Sequence, residues 1–300
     1  MSEGFVKPKL PVLVFTDLDG TLLDHDDYSF SAAAPALALL RELHIPVIAN
    51  TSKTLAELEA LNQAMDNTHP CIVENGSALC IPSGYFSAVP GATTMPDYQV
   101  IRLAPEYTTL IETLHRLRSE KGYRFRGFYD MSAEQVAADT GLSVADAARA
   151  KRRLCSEPLI WEDSPEAFDQ FESALDDVGF SLTRGGRYWH VMAQQGKAQA
   201  MQQMQGLYET ATGTVFTTIG LGDSPNDEAM LRAADIAIIV RRPDGTHLEC
   251  EGAKRVLHTR SIGPAGWNES MHKLIDELAS VYDALLVGTV AVASSNTGIN

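Results

Sequence analysis

The chain has 300 residues, enough for one large domain or two smaller ones with a substantial core. Apolar residues make up 45% of it and charged residues 21%, as in ordinary soluble globular proteins. Its 39 acidic and 24 basic residues leave a formal net charge of -15. This balance argues against general binding to nucleic acids or anionic membranes, because both need a basic surface.

The four cysteines show neither CxxC spacing nor histidines at zinc-finger spacing, so we predict reduced thiols in a cytoplasmic protein. The amino-terminal residues lack the apolar run of a secretory signal peptide. No uninterrupted apolar stretch reaches transmembrane length. We therefore expect no nucleic-acid and no membrane partner, and the sequence does not indicate an oligomeric state.

Strand-like and helical segments alternate from the start of the chain. Pro11–Asp17 is an apolar run that predicts a buried parallel strand opening into a loop. Ser31–Leu43 predicts a helix and is followed by a second strand-like stretch that ends in NTSKT, and Thr54–Met65 predicts a helix before CIVENG. The alternation predicts the α/β class, with a doubly wound, Rossmann-like parallel sheet. Ligands of such sheets collect at the carboxyl ends of the strands.

The pattern changes at about Pro82. Residues 90–105 are rich in Pro, Gly and Thr and predict a linker, and residues 106–190 mix helical segments with aromatic, strand-rich ones. The α/β rhythm resumes at Lys197–Leu207, which predicts a discontinuous core interrupted by an α+β cap domain of common size. The predicted domains are a first core segment 1–90, a cap domain 91–190 and a second core segment 191–300.

The motif DLDGTLLD, at Asp17–Asp24, directly follows the first predicted strand. Asp17 and Asp19 are separated by one residue, so both carboxylates can approach a metal, and Gly20 permits the tight turn. One carboxylate can attack a phosphate ester while the other serves as general acid and base, through an aspartyl-phosphate intermediate. A calcium loop is the alternative, but the late Glu that an EF-hand loop needs at fixed spacing is missing between Gly20 and Phe30.

A second acidic motif, GLGDSPND at Gly220–Asp227, also follows a predicted strand. Asp223 can complete a Mg²⁺ site with Asp17 and the backbone carbonyl of Asp19. Asp227 is a further candidate ligand. Taken alone, the motif is equally typical of an Asx-rich turn that caps the next helix.

Two further residues can supply a hydroxyl donor and a positive charge, which the carboxylates of the acidic motifs cannot. The Thr51 hydroxyl, after the second strand, can donate a hydrogen bond to the transferred phosphoryl group. Lys197 can neutralise the charge shared by the phosphate and the nucleophile. Lys53 competes for the phosphate contact. The predicted catalytic residues are Asp17, Asp19, Thr51 and Lys197.

These pieces resemble, in order, the four motifs of the haloacid dehalogenase (HAD) superfamily of phosphatases: DLDGT, Thr51, Lys197 and GLGDSPND. The insert between the second and third motifs resembles the C2B-type cap of the Cof-like subclass. The resemblance implies an α/β core of that fold, Mg²⁺ as cofactor and phosphatase activity. The predicted metal ligands are Asp17, Asp19, Asp223 and Asp227.

VFTDLDGTLLD, TSKT, IVENG, TGLS, GGRYWHV, GLGDSPND and GPAGW together resemble the mannosyl-3-phosphoglycerate phosphatase family, over nearly the whole chain from residue 11 to about 284. The resemblance implies hydrolysis of mannosyl-3-phosphoglycerate to mannosylglycerate, a compatible solute. A phosphorylated sugar acid should be met by cationic or N–H donors. The predicted substrate-binding residues are Thr51, Ser52, Lys53, Glu74, Asn75, Gly76, Arg149, Gly186, Arg187 and Asn226.

Several alternatives share this core. A phosphatase for glucosyl-3-phosphoglycerate, sucrose phosphate, trehalose phosphate or another sugar phosphate would differ in the cap, and a phosphomutase would have a similar core. A non-catalytic phospho-acceptor regulator would keep Asp17 but would need neither Asp19 nor a large cap.

Overall fold

The structure is a computed structural model that describes residues 8–184, 188–194 and 196–295; for Ala193 and residues 283–295 it describes the backbone alone. Within these residues the strands are, in chain order, β1 (Val12–Thr16), β2 (Val47–Ala49), β3 (Cys71–Val73), β4 (Ala78–Pro82), β5 (Thr93–Thr94), β6 (Tyr98–Arg102), β7 (Phe125–Gly127), β8 (Glu157–Trp161), β9 (Phe180–Arg184), β10 (Trp189–Ala193), β11 (Thr217–Gly222), β12 (Ile236–Arg241) and β13 (Val256–Ile262). The α-helices are α1 (Ala34–Glu42), α2 (Leu55–Met65), α3 (Tyr107–Lys121), α4 (Ala133–Thr140), α5 (Val144–Ala150), α6 (Pro165–Asp176), α7 (Lys197–Thr212), α8 (Glu228–Ala233) and α9 (Gly263–Ser295).

A parallel sheet of five strands, in the order β13-β12-β11-β1-β2, forms the centre of the core. Every residue of β1 is buried. Successive side chains of a strand point to opposite faces. Val12 and Val14 accordingly pack with Trp267 of α9, whereas Leu13 and Phe15 pack against α7 and α8. Helices therefore cover both faces of the sheet, which confirms the predicted doubly wound α/β core.

A second sheet, antiparallel and ordered β3-β4-β6-β5, continues from the core. A single parallel bridge between Asn50 and Ile72 links β3 to the end of β2. Residues 90–105, predicted as a linker, contain β5 and β6. The prediction was wrong there because the Pro, Gly and Thr content masked the β-prone residues of β6, whose Val100 and Ile101 are buried.

The insert is an α+β unit. Its antiparallel sheet is ordered β7-β8-β10-β9. Helices α3 and α6 pack on this sheet through Leu110, Phe171 and Leu175, whereas α4 and α5 pack around Phe128. The α+β cap class is thus as predicted. The proposed domain limits remain a prediction, and the pairing of β6 with β4 favours moving the first limit to the residues after β6.

In the part of the chain that the structure describes, no helix combines the length and the apolar character that crossing a membrane requires.

Candidate active site

The carboxyl ends of β1, β2 and β11 meet at one edge of the parallel sheet, and they bring the acidic motifs together. Asp17 directly follows β1 and Asp223 directly follows β11, and these two strands are neighbours. The Thr21 hydroxyl donates to Asp223 Oδ1 at 2.9 Å, which ties the first motif to the second across 202 residues. Gly20, at φ +78, faces Asp223 so closely that an added Cβ would lie 3.0 Å from Asp223 Oδ2.

Lys197, the first residue of α7, lies between two carboxylates. Its Nζ donates to Asp17 Oδ1 at 2.7 Å and to Asp227 Oδ1 at 2.6 Å. All three side chains are at most 8% exposed, so the ammonium group compensates two charges that are removed from water. The Asn50 amide donates to the backbone carbonyl of Lys197 and helps to hold the start of the helix in place.

The buried setting shifts the titration of these groups. Burial, followed by the charge of Asp227, raises the pKa of Asp17 to about 8, although Lys197 opposes the shift. Burial and Asp227 likewise raise the pKa of Asp223 to about 6. Burial alone would lower the pKa of Lys197, but Asp17 and Asp227 raise it well above its ordinary value. The lysine is therefore charged, and a bound cation would favour the ionised carboxylates.

The donor set fits a hard divalent cation. Asp17, Asp223 and Asp227 each offer a carboxylate oxygen, and these oxygens lie within 4.8 Å of one another. Oxygen ligands of this kind are what Mg²⁺ prefers. Both oxygens of Asp227 are already engaged, because Oδ1 accepts from Lys197 and Oδ2 accepts from the N–H groups of Asp223 and Ser224. Asp227 is thus placed to orient the Asp223 loop and Lys197, with Asp17 and Asp223 facing the cleft.

Asp19 lies beside Lys53, whose Nζ is 2.8 Å from Asp19 Oδ1. Burial would lower the pKa of Lys53, but Asp19 and Glu57 more than offset this and raise it. Thr51 is 1% exposed, and its hydroxyl oxygen accepts a hydrogen bond from the Lys53 N–H. The sequence predicted two lysines, Lys53 and Lys197, as competing contacts of the phosphate. In the structure Lys53 pairs with Asp19, whereas Lys197 pairs with Asp17 and Asp227.

The predicted substrate residues separate into two groups. Ser52, Asn75 and Asn226 line the cleft beside the acidic residues, and the Asn226 amide donates to Asn75 Oδ1 at 3.1 Å. Lys53 lies next to them. Gly186 and Arg187 fall outside the described residues.

Glu74, Gly76 and Arg149 have other partners. Glu74 is fully buried, and its carboxylate accepts from the N–H groups of Leu154 and Cys155 in the cap rather than facing the cleft. Gly76 packs against the backbone that precedes α7. Arg149 pairs with Asp146, three residues earlier on the same helix.

A cleft of about 490 Å³ between core and cap is lined by Asp17, Asp19 and Asp223. Its walls include His25 from the loop after DLDGT, and Thr183, Arg184 and His190 from the cap sheet. Burial, followed by the charges of Arg153 and Lys197, lowers the pKa of His190 to about 3, and its Nδ1 has no hydrogen-bond partner among the described residues. Sequence reasoning left His25 and His190 out of the site, since no local pattern relates them to the distant acidic motifs. The GGRYWH segment was the available signal for His190.

Two curated proteins align with almost the whole chain. A glucosyl-3-phosphoglycerate/mannosyl-3-phosphoglycerate phosphatase of Methanococcoides burtonii is 40% identical over 264 residues, which are 88% of this chain and 97% of that protein. A protein of the same name from Persephonella marina is 35% identical over 268 residues, 89% of this chain and 98% of its own. The chain belongs to the glucosyl-3-phosphoglycerate/mannosyl-3-phosphoglycerate phosphatase family.

Family membership makes the chain a phosphatase, a phosphoric monoester hydrolase, and confirms the resemblance inferred from its motifs. Among solved structures, a HAD-superfamily phosphatase of Bacteroides thetaiotaomicron superposes with a TM-score of 0.61 at 18% identity, covering 93% of this chain and 99% of that one. At this identity the likeness concerns the fold. No family model matches the chain.

Proposed function

We propose that this phosphatase hydrolyses mannosyl-3-phosphoglycerate to mannosylglycerate and phosphate, depends on Mg²⁺ and forms an aspartyl-phosphate on Asp17. The observation that carries the proposal is the arrangement of the buried Asp17 and Lys197 with the half-buried Asp223 at one sheet edge. Glucosyl-3-phosphoglycerate is the second candidate substrate, because the two curated relatives carry both sugars in their names.

Asp17 and Asp223, with the predicted carbonyl of Asp19, would hold Mg²⁺, which would neutralise the charge of the substrate phosphate and orient it. Lys197 holds the Asp17 carboxylate in one orientation through a 2.7 Å hydrogen bond. The other oxygen of Asp17 is the proposed nucleophile. The ammonium group would also offset the negative charge that builds up as carboxylate and phosphate approach each other.

Asp19 is the proposed general acid and base. It would protonate the leaving oxygen of the sugar acid and later take a proton from the water that hydrolyses the aspartyl-phosphate. Lys53, 2.8 Å away, positions this carboxylate. Thr51 is proposed to donate its hydroxyl hydrogen to the transferred phosphoryl group, since its oxygen already accepts from the Lys53 N–H.

The decisive experiment replaces the nucleophile. Asp17→Asn should abolish Mg²⁺-dependent release of phosphate while the chemical denaturation curve keeps its cooperative shape, because the amide is nearly isosteric but a poor nucleophile. Asp26→Asn is the matched control, since Asp26 is exposed in the loop beyond the motif. Substantial Mg²⁺-dependent turnover by the Asp17 variant would refute the mechanism.

The choice of substrate needs a separate measurement. Values of kcat/KM should be compared for mannosyl-3-phosphoglycerate, glucosyl-3-phosphoglycerate and simple hexose phosphates. The proposal expects both glycosyl phosphoglycerates to be preferred over the hexose phosphates, with mannosyl-3-phosphoglycerate first.

A further inference from the structure

A second cavity, of about 430 Å³, opens beside the catalytic cleft. The two cavities share a wall that is formed by Asp19, His25, Ser52 and His190. We call the second one the Lys53 cavity, because Lys53 lines it and does not line the cleft.

The proposed chemistry gives the two cavities different roles, and these roles rest on the proposed function. Asp17 and Asp223 line only the cleft, which is therefore the place of the phosphate. Asp19 borders both cavities and must reach the leaving oxygen. The organic half of the substrate is attached to that oxygen, so it extends from the phosphate past Asp19 and toward the Lys53 cavity.

The walls of the Lys53 cavity suit a sugar. Tyr28 from the core loop and Phe128 and Tyr188 from the cap line it together with Leu142. The rings of Phe128 and Tyr188 meet edge to face, with centroids 5.0 Å apart, so the cap holds them in a defined orientation. Binding sites of small molecules combine such apolar surfaces with a few placed polar groups, and aromatic rings pack well on the C–H face of a pyranose.

The cavity wall carries two bases, Lys53 and Arg153, and two acids, Asp19 and Glu57, and Glu57 already accepts from the Thr54 N–H and hydroxyl. Lys53 Nζ lies 2.8 Å from Asp19 and 5.1 Å from the centre of the Tyr28 ring, and its ammonium group has three hydrogens to donate. Arg153, the other strong base in the wall, is already bound to the Ser52 carbonyl, the Ser156 carbonyl and the Ser156 hydroxyl. Lys53 is thus the cation left to meet a ligand carboxylate among the described residues of this wall.

We propose that the Lys53 cavity binds the glycosyl glycerate half of the substrate, with Lys53 paired to the glycerate carboxylate and Tyr28, Phe128, Leu142 and Tyr188 against the sugar ring. His190, on the shared wall, offers its Nδ1, which has no hydrogen-bond partner among the described residues, to a hydroxyl group of the ligand.

The first test fills the cavity. Leu142→Trp should lower kcat/KM for mannosyl-3-phosphoglycerate by about tenfold or more, mainly through KM, because the pocket loses the volume that the sugar needs. Hydrolysis of acetyl phosphate, which has no sugar, should fall much less, and its retention verifies the fold. Val144→Trp, an equally large change at an exposed position two residues away, is the control and should leave both substrates unaffected. An unchanged ratio between the two substrates in Leu142→Trp would overturn the proposal.

The second test removes the cation. The preference of the wild-type enzyme for 3-phosphoglycerate over glycerol 3-phosphate, which lacks the carboxylate, should fall by about tenfold in Lys53→Met, as expected for loss of a charge-assisted contact. Loss of Lys53 also removes the ion-pair partner of Asp19. This change affects both substrates, so it cancels when their kcat/KM values are compared within one variant. Lys273→Met, at an exposed position of α9, should keep the wild-type preference. A preference that survives in Lys53→Met would overturn the carboxylate contact.

Calorimetric titration with unphosphorylated mannosylglycerate separates binding in the cavity from the phosphatase chemistry. We expect binding to the wild type and an affinity about tenfold lower in Leu142→Trp and in Tyr28→Ala. Absence of binding, or equal affinity in all three proteins, would overturn the cavity assignment while the phosphatase activity stands. Binding without any release of phosphate by the wild type would refute the proposed function and leave the cavity assignment intact.

Discussion

Glu157, the first residue of β8, is a buried acid outside the proposed catalytic set. It is 1% exposed and accepts hydrogen bonds from the Tyr129 N–H at 2.7 Å and from the Tyr107 hydroxyl at 2.7 Å. Burial outweighs these bonds and raises the pKa of Glu157 from 4.5 to about 7. The cap therefore contains a carboxyl group that titrates near neutral pH.

The raised pKa of Glu157 determines how the free energy of unfolding changes with pH, because protonation and folding are linked. A raised pKa means that the folded state binds the proton more tightly than the unfolded state, so the stabilisation is present below the unfolded pKa and is lost as pH rises through about 7. We expect the wild type to lose up to about 3 kcal/mol more unfolding free energy than Glu157→Gln between about pH 5 and pH 8. Urea denaturation at both pH values measures this. Equal pH dependence of the two proteins would contradict the prediction.

At the scale of elements, the junction between the Glu74–Gly76 turn and the start of α7 determines where Lys197 lies. Glu74, Asn75 and Gly76 all have positive φ angles, of 54°, 56° and 93°. A Cβ added to Gly76 would lie 2.5 Å from the Gly196 carbonyl carbon and 2.7 Å from the Lys197 nitrogen. Glycine is needed here both for the backbone conformation and for the close approach.

Two glycine substitutions separate the close approach of Gly76 to the start of α7 from the general effect of alanine on helix stability. Gly76→Ala should displace the start of α7 and lower kcat by about tenfold or more, because small misplacements of a catalytic group are costly. Gly206→Ala, in the middle of α7, meets no atom within 4 Å and should stabilise the protein by up to about 1 kcal/mol with unchanged kcat. Steady-state kinetics and thermal unfolding check both. Wild-type kcat in Gly76→Ala would show that the contact does not position Lys197.

At the scale of the molecule, the Glu74 carboxylate is one of the groups that join the core to the cap. Glu74 accepts hydrogen bonds from the Leu154 N–H, the Cys155 N–H and the Ser156 hydroxyl, at 2.6, 3.0 and 2.8 Å. Arg153 lies 3.7 Å from the same carboxylate and donates to the Ser52 carbonyl of the core. These contacts are buried, so removing one side leaves the other unsatisfied.

Glu74→Ala should therefore lower the free energy of unfolding by about 3 kcal/mol or more, and Glu74→Gln by less, since the amide oxygen still accepts. Hydrogen exchange at the Leu154 and Cys155 amides should accelerate in both variants. Glu59→Ala, at an exposed position of α2, should change stability by less than about 0.5 kcal/mol. Unaltered exchange at these two amides in Glu74→Ala would refute the anchoring role.

Metal binding should also act on the whole core, because Asp17 and Asp223 extend from neighbouring strands. Saturating Mg²⁺ should raise the thermal unfolding midpoint of the wild type, since a ligand of the folded state stabilises it by mass action. EDTA should reverse the shift. Asp223→Asn should show a much smaller shift, and an equal shift in that variant would place the metal elsewhere.

Much of this protein could be predicted from local patterns. The acidic motifs, the strands before them and the alternation of helices predicted the doubly wound core and the approach of Asp17 to Asp223, because strand periodicity and turn-forming residues act over a few positions. The composition of residues 90–105 gave the wrong prediction, since its Pro, Gly and Thr residues masked the β-prone residues of β6, which pairs with β4.

Only the tertiary structure decided which of the remaining polar residues face the cleft. Glu74 and Asn75 are neighbours in the chain, yet one is buried in contacts with residues 154–156 and the other lines the cleft. The cap strand that brings His190 to the cleft is separated from Asp19 by 171 residues in the numbering of the chain. Such contacts depend on how the cap packs on the core, and the residue pattern within one segment does not predict them. The sequence alone was enough to predict that the two acidic motifs meet at one sheet edge, whereas the other residues around the cleft emerged only from the packing of the cap on the core.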